Sequence, residues 1–353
     1  MRTFIRAKQS EPVKHLLLPG LWMCLAASLN SGCGSAPENK SFARAENGRI
    51  LINGKPCYFL GANLWYAPIL ASTGEGGNRP RLARELDSLA ACGITNLRVL
   101  VGAEGDAGVT AKIEPILQYA PGQYDDRLLD GLDYLLAQLG QRGMQAVLYL
   151  NNSWEWSGGY SQYLAWSGAG KAPIPCVDGY ETYTDYVSLF IPNMRARELF
   201  ENHVRFIVGR TNRYTGLKYT EDPAIFSWQI CNEPRPFGTA NHEAFAEWIA
   251  QTARLIRSLD PNHMISTGSE GFYGCESNLE LTERIHAIPE IAYVNLHIWP
   301  SNWRWVDRNA LAEGLENAKE MTRKYIDMHL EIGRRLNKPV IIEEFGFPRD
   351  GFQ

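Results

Sequence analysis

Short apolar, β-rich runs alternate with amphipathic helical stretches along most of this chain, and that order constrains the fold more than any other feature. The runs fall at 58–63, 95–100, 146–151, 224–231, 264–267, 292–297 and 339–343. Helical periodicity fills 128–143, 195–214, 242–259 and 310–336, and a further helix ends at 87–93. Strands buried on both faces read as continuous apolar runs. Repeated strand–helix units with right-handed crossovers make a parallel sheet that can close into a barrel. The doubly wound alternative needs a Gly-rich phosphate turn after the first strand; Gly61-Ala-Asn-Leu-Trp65 is not one. The expected fold class is therefore α/β, a (β/α)8 TIM barrel entered through an N-terminal β-hairpin turning at Asn53-Gly54. A long polar insert is expected at 152–192. Only 348–353 follow the last run, so the barrel is expected to be truncated before its eighth strand, with the first and seventh strands left unpaired.

The N-terminus reads as a targeting segment. Arg2, Arg6, Lys8 and Lys14 precede an apolar stretch at 16–29 that is too short to span a bilayer. Ser31-Gly32-Cys33 then resembles a bacterial lipoprotein cleavage site, which would make Cys33 the lipidated first residue of a cell-surface protein; a soluble secreted protein is the alternative. The domains expected are a signal peptide at 1–33, a polar tether at 34–45 and one barrel domain at 46–353. A net charge of −4 gives no reason to expect a nucleic-acid partner. The cysteines show no zinc spacing. Cys176 and Cys275 fall in loop segments and are candidates for a disulfide, while Cys92 and Cys231 read as small buried hydrophobes.

Chemistry concentrates at two strand ends. One run, Ile225-Phe-Ser-Trp-Gln-Ile-Cys-Asn-Glu-Pro-Arg235, ends in Glu233. The other, Val340-Ile-Ile-Glu-Glu-Phe-Gly346, ends in Glu343 and Glu344. A β/α barrel keeps its chemistry at the C-terminal tips of its strands, and facing carboxylates are the machinery of glycoside hydrolysis. Tryptophans in polar, Gly-rich segments suit the apolar faces of sugar rings. Trp65, Trp154, Trp156, Trp303 and Trp305 are the candidate platforms.

Together with Leu97-Arg-Val-Leu100 and His297-Ile-Trp-Pro300, these segments resemble glycoside hydrolase family 5, a retaining TIM-barrel family. Gln229-Ile-Cys-Asn-Glu-Pro-Arg235, Asn151-Asn-Ser-Trp154 and the cluster at 299–305 resemble its endo-β-1,4-mannanase branch. The resemblance implies Glu233 as acid/base, with a raised pKa, and Glu344 as nucleophile. It implies Arg98 beside the nucleophile, Asn232 on the sugar 2-hydroxyl and His297 lining the site. Strand alternation would then turn Glu343 to a supporting or outward position. Trp299 stands where the family usually has a tyrosine that touches the nucleophile. The family's eighth strand brings a Trp that floors the site, and this chain does not reach it. The implied substrate is a β-mannan-type polysaccharide, and no cofactor or metal is implied, since two carboxylates suffice. An endo-β-1,4-glucanase, or a non-catalytic glycan-binding protein on a truncated barrel, are the alternatives.

Overall fold

The structure, a computed structural model, describes residues 42–348. The expected signal segment, Cys33 and most of the expected tether lie outside the described residues. A small antiparallel meander comes first: β1 (Arg44–Glu46), β2 (Arg49–Ile52) and β3 (Lys55–Pro56). Two Asn-Gly turns join them, each with both residues at positive φ (Asn47 +51°, Gly48 +71°; Asn53 +52°, Gly54 +72°). Mirror-image turns of this kind match the twist of a hairpin. The expected hairpin is thus one strand larger, because 44–46, at the end of the expected tether, is paired strand. Ala43 and Ile50 pack with Val147, Phe226, Met264 and Tyr293 in one buried cluster.

The parallel strands follow as β4 (Leu60–Asn63), β5 (Ile94–Leu100), β8 (Gln145–Tyr149), β9 (Ile225–Gln229), β10 (Met264–Ser266), β11 (Val294–Ile298) and β12 (Val340–Phe345). A minor hairpin, β6 (Gln118–Ala120) and β7 (Gln123–Tyr124), sits between β5 and the next helix. Hydrogen-bonded order runs β4-β5-β8-β9-β10, and β11 pairs with β12. A parallel bridge, Ile265 to Ile291, joins the two groups. Among the described residues β12 and β4 form no ladder; Asn63 Nδ2 donates across the gap to the Glu343 carbonyl at 2.8 Å. A cavity of about 880 Å³ opens along this seam, lined by Tyr58, Leu60, Ile342 and Phe345 among others. Burial marks the same place. β9, β10 and β11 are buried at every residue, whereas β4 and β12 are not, with Phe345 79% exposed.

The helices are α1 (Ala67–Ala71), α2 (Arg79–Ala91), α3 (Asp126–Gln141), α4 (Gly159–Trp166), α5 (Pro175–Asp178), α6 (Tyr180–Val187), α7 (Met194–Val208), α8 (His242–Leu259), α9 (Leu279–Ala287) and α10 (Leu311–Leu336). In α3, Leu128, Leu132, Leu135, Leu136 and Leu139 are buried at helical spacing. Side-chain caps start several helices: Asn78, Asp125, Asn193 and Asn278 accept from backbone N–H groups of the first turn. The 152–192 segment is no polar excursion. Its helices α4 to α6 bury Tyr160, Tyr163 and Tyr183 fully, with Tyr160 stacked on Phe190 at 4.0 Å and edge-on to Trp248 at 5.7 Å. Short helices between glycines and prolines hide this amphipathicity in the sequence.

Candidate active site

The tips of β5, β8, β9, β11 and β12 open on a cleft of about 840 Å³. Two backbone irregularities aim its carboxylates. Glu233 sits just beyond β9 with φ +50°, and its N–H donates to the Gly268 carbonyl at 2.9 Å. Pro234 disfavours a right-handed helical backbone in the residue before it. A left-handed non-glycine residue costs of order 1–3 kcal/mol and persists only where its surroundings hold it. The second irregularity is in β12. Leu296 pairs with Ile342, but His297 pairs with Glu344, so Glu343 is an extra residue. A bulge breaks strict alternation. Glu343 therefore turns inward as a supporting residue, the first of the two positions expected for it, and both glutamates reach Arg98.

Arg98 organises the Glu344 side of the cleft. Its Nε donates to Gln229 Oε1 at 2.8 Å and its Nη2 to Asn232 Oδ1 at 2.8 Å. Its Nη1 donates to Asn63 Oδ1 at 3.3 Å and is ion-paired with Glu344 Oε1. Its guanidinium lies 4.5 Å from the Tyr149 ring centroid. Trp299 Nε1 donates to the other Glu344 oxygen at 3.2 Å. Across the cleft, His297 Nδ1 lies 2.7 Å from Glu233 Oε1, and Trp154 Nε1 donates to Glu233 Oε2 at 2.5 Å. Glu233, His297 and Glu344 each bring one polar atom within 4.8 Å of the others. A cation would accept that spacing, but the guanidinium of Arg98 and the ring of His297 already supply positive charge there.

Burial would lower the pKa of His297, but Glu344, Glu233 and Glu343 outweigh it and hold the imidazole at about 10. It is therefore a cation at neutral pH, donating from Nδ1 to Glu233. Glu233 is the mirror case. Burial pulls it up, yet the His297 hydrogen bond and charge, Arg235 and Trp154 hold it below the usual carboxylate range. This overturns the expected raised pKa: burial and a neighbouring carboxylate are present, and the cations beat them. Glu343 is also held low, because His297, Arg98 and Gln229 outweigh its burial.

A family description, GH family 5 beta-mannosidase-like, matches residues 40–353. This chain belongs to glycoside hydrolase family 5. Among relatives of this family 5 enzyme, mannan endo-1,4-beta-mannosidase 7 of Arabidopsis thaliana is 29% identical over 317 residues, covering 86% of this chain and 68% of the relative. A crystal structure of a glycoside hydrolase family 5 mannosidase from Rhizomucor miehei superposes with TM-score 0.80 at 32% identity, over 88% of this chain and 74% of that one. A variant of that Rhizomucor enzyme, 31% identical and with TM-score 0.79 over 88% of this chain and 74% of its own, was solved in complex with mannosyl-fructose.

The family 5 site brings together Glu233, Glu344, Arg98, Asn232, Trp299, Trp65, Trp154, Trp156 and Trp303 on the cleft wall, with His297 buried behind the two carboxylates. Asn232 is already engaged: its Oδ1 accepts from Arg98 and its Nδ2 donates to Asn152 Oδ1 at 3.0 Å. Trp305 does not belong there. It is 6% exposed in a cluster with Tyr325, and its Nε1 donates to Tyr273 Oη at 3.3 Å. The candidate disulfide does not form, since Cys176 is free and exposed and Cys275 free and buried; Cys92 is exposed rather than buried. Four cleft or supporting residues escaped sequence reasoning: Asn63, Gln229, Arg235 and Glu270. Arg235 follows the Asn-Glu-Pro segment directly and was visible there. Glu270 follows a three-residue strand and carries no local signal.

Proposed function

We propose that this protein is a retaining β-mannosidic glycoside hydrolase acting on mannan, glucomannan or galactomannan. The observation that carries the reading is the close approach of Glu233 and Glu344, with oxygens within 4.8 Å across a cleft walled by tryptophans. Retaining pairs stand about 5–5.5 Å apart, whereas inverting pairs leave about 6.5–9.5 Å for a water.

In this reading Glu344 attacks the anomeric carbon while Arg98 and Trp299 hold its oxygens in place. Glu233 gives a proton to the leaving oxygen. The resting proton lies on His297, so Glu233 and His297 act as a pair that holds it across a 2.7 Å hydrogen bond. Sugar entering the cleft excludes water and favours the uncharged form of both partners, which moves the proton onto Glu233. Water then attacks the glycosyl-enzyme, with Glu233 as base.

A second reading, cleavage at chain ends, draws support from the Rhizomucor enzyme, which is described as a mannosidase. The plant relatives' names say mannan endo-1,4-beta-mannosidase. Incubation with reduced mannohexaose, followed by chromatography and proton NMR of the first product, separates them. Internal cleavage releases di- and longer oligosaccharides from the start, end cleavage releases mannose and leaves the chain one unit shorter, and retention yields the β-anomer first. Turnover of carboxymethyl cellulose but not mannan would replace the reading with a glucanase. Binding without turnover would replace it with a glycan-binding protein. We also propose export with a lipid on Cys33, on the residue pattern at 1–33. Cys33→Ser should abolish palmitate labelling in a bacterial host.

A further inference from the structure

Glu343 has no part in the steps above, yet it stands directly behind the imidazole that shares a proton with Glu233. The bulge in β12 turns it inward, and its side chain is 3% exposed. Gln229 Nε2 donates to its Oε1 at 2.7 Å, and Tyr293 Oη donates to the same oxygen at 3.4 Å. Its Oε2 is left without a hydrogen bond among the described residues, and so is Nε2 of the fully buried His297. These two orphaned atoms face each other at 3.7 Å. The other ring nitrogen, Nδ1, lies 2.7 Å from Glu233 Oε1 and 3.5 Å from Glu344 Oε2. Two carboxylates thus favour a hydrogen on Nδ1, and Glu343 is the one that favours a hydrogen on Nε2.

We propose that Glu343 is a positioning residue that fixes the tautomer of His297, holding a hydrogen on Nε2 so that Nδ1 is free to pass its proton to Glu233 and take it back. This rests on the function proposed above. A carboxylate behind an imidazole settles which ring nitrogen keeps its hydrogen, because a bare lone pair facing it is repelled. When Glu233 takes the proton from Nδ1, the neutral ring still points an N–H at Glu343. When the pair instead loses its proton to solvent, Glu233 is ionised and the hydrogen must stay on Nδ1 to meet it. Nε2 is then bare against Glu343. The charge of Glu343 opposes that second state, so the pair keeps its proton to higher pH. Glu343 carries that charge, since His297, Arg98 and Gln229 outweigh its burial. Other groups bear on the same atoms from the packed elements. Arg98 on β5 lies 3.9 Å from Glu343 Oε2, while Arg235 beyond β9 and Glu270 beyond β10 act on Glu233. His286 on α9 faces Glu343 as a neutral ring, held at about 4 by burial, and burial keeps Tyr149 on β8 and Tyr293 on β11 un-ionised.

The test begins with the wild type. ¹⁵N NMR of the His297 ring at pH 8 should find hydrogen on both nitrogens, and a bare Nε2 there overturns the proposal without any variant. In Glu343→Gln the ring should titrate about 1–3 pH units lower, the usual effect of one charge within about 4–6 Å. Its neutral form should carry the hydrogen on Nδ1. The basic limb of kcat/KM on a mannooligosaccharide should fall with it. Glu343→Asp, which keeps the charge one methylene further back, should lie between Glu343→Gln and wild type in both readings. Thermal melts establish that each variant is folded. A ring titration or a limb that stays fixed or rises in Glu343→Gln overturns the proposal, as does a Glu343→Asp no nearer to wild type than Glu343→Gln. A neutral ring in Glu343→Gln that still carries its hydrogen on Nε2 overturns it equally. The NMR arm needs no turnover. A chain inactive on mannan would sink the functional reading, while the ring titration would still decide the role of Glu343.

Discussion

Replacing Arg98 with lysine keeps the positive charge and removes the fork, so it separates the two roles of this residue. Arg98 is 5% exposed and donates to Gln229, Asn63, Asn232 and Glu344 from three different nitrogens. An ammonium seated against Glu344 loses the Gln229 and Asn232 contacts together, because one point cannot replace a planar fork. Each hydrogen bond from a charged donor contributes roughly 1.5–3 kcal/mol, so the pair contributes roughly 3–6 kcal/mol. Total stability is typically about 5–15 kcal/mol, and each kcal/mol shifts Tm by about 2–4 °C in chains approaching this size. Arg98→Lys should therefore melt roughly 6–24 °C below wild type. Asn232 and Glu344 would also lose their common anchor, and kcat should fall about 10²–10³-fold, the usual cost of one misplaced catalytic hydrogen-bond donor. Differential scanning calorimetry and initial rates on mannotetraose read both effects. A variant melting within 2 °C of wild type (against the roughly 6 °C minimum), with kcat within about threefold, would refute the idea that geometry rather than charge makes Arg98 necessary.

Glu344→Ala should abolish turnover, with azide restoring it and giving α-mannosyl azide. Glu233→Ala should retain activity best on substrates with good leaving groups; an inactive Glu343→Ala beside an active Glu344→Ala would reverse the assignment. Stability should be greatest in weakly acidic solution. Glu343, held low once His297, Arg98 and Gln229 outweigh its burial, contributes stability above about pH 4.3 that is lost as pH falls through its folded value. His297, raised by its carboxylates against burial, contributes fully below about pH 6.5 and loses that contribution as pH rises through about 10. Urea unfolding from pH 3 to 10 checks this, and a maximum above pH 8 would contradict it. In the native protein a thiol reagent should modify Cys92 and Cys176 quickly, and Cys231 and Cys275 only after denaturation, because the first two are exposed and the last two buried.

Local patterns were legible wherever one segment carried its own signal. The helix expected at 242–259 forms over that range, and every expected parallel strand is present within a few residues. The Asn-Glu-Pro and Glu-Glu-Phe-Gly segments end strands at the cleft, as their apolar runs and chain breakers imply. Chain order alone therefore determined the α/β architecture and the two principal carboxylates. What the sequence could not determine depends on groups far apart along the chain. The inward turn of Glu343 follows from a bulge that exists only in the pairing of β11 with β12. The fate of Trp305 was set by Tyr273 and Tyr325, and the burial of the 152–192 segment by α7 and α8. Protonation was the least legible property of all. Glu233 would be a raised carboxyl by burial alone, and it is a depressed one because His297, Arg235 and Trp154 converge on it from three different loops or strands. Burial acts on one residue, whereas the balance of charge around it is a sum over the whole barrel mouth, and only the folded chain performs that sum.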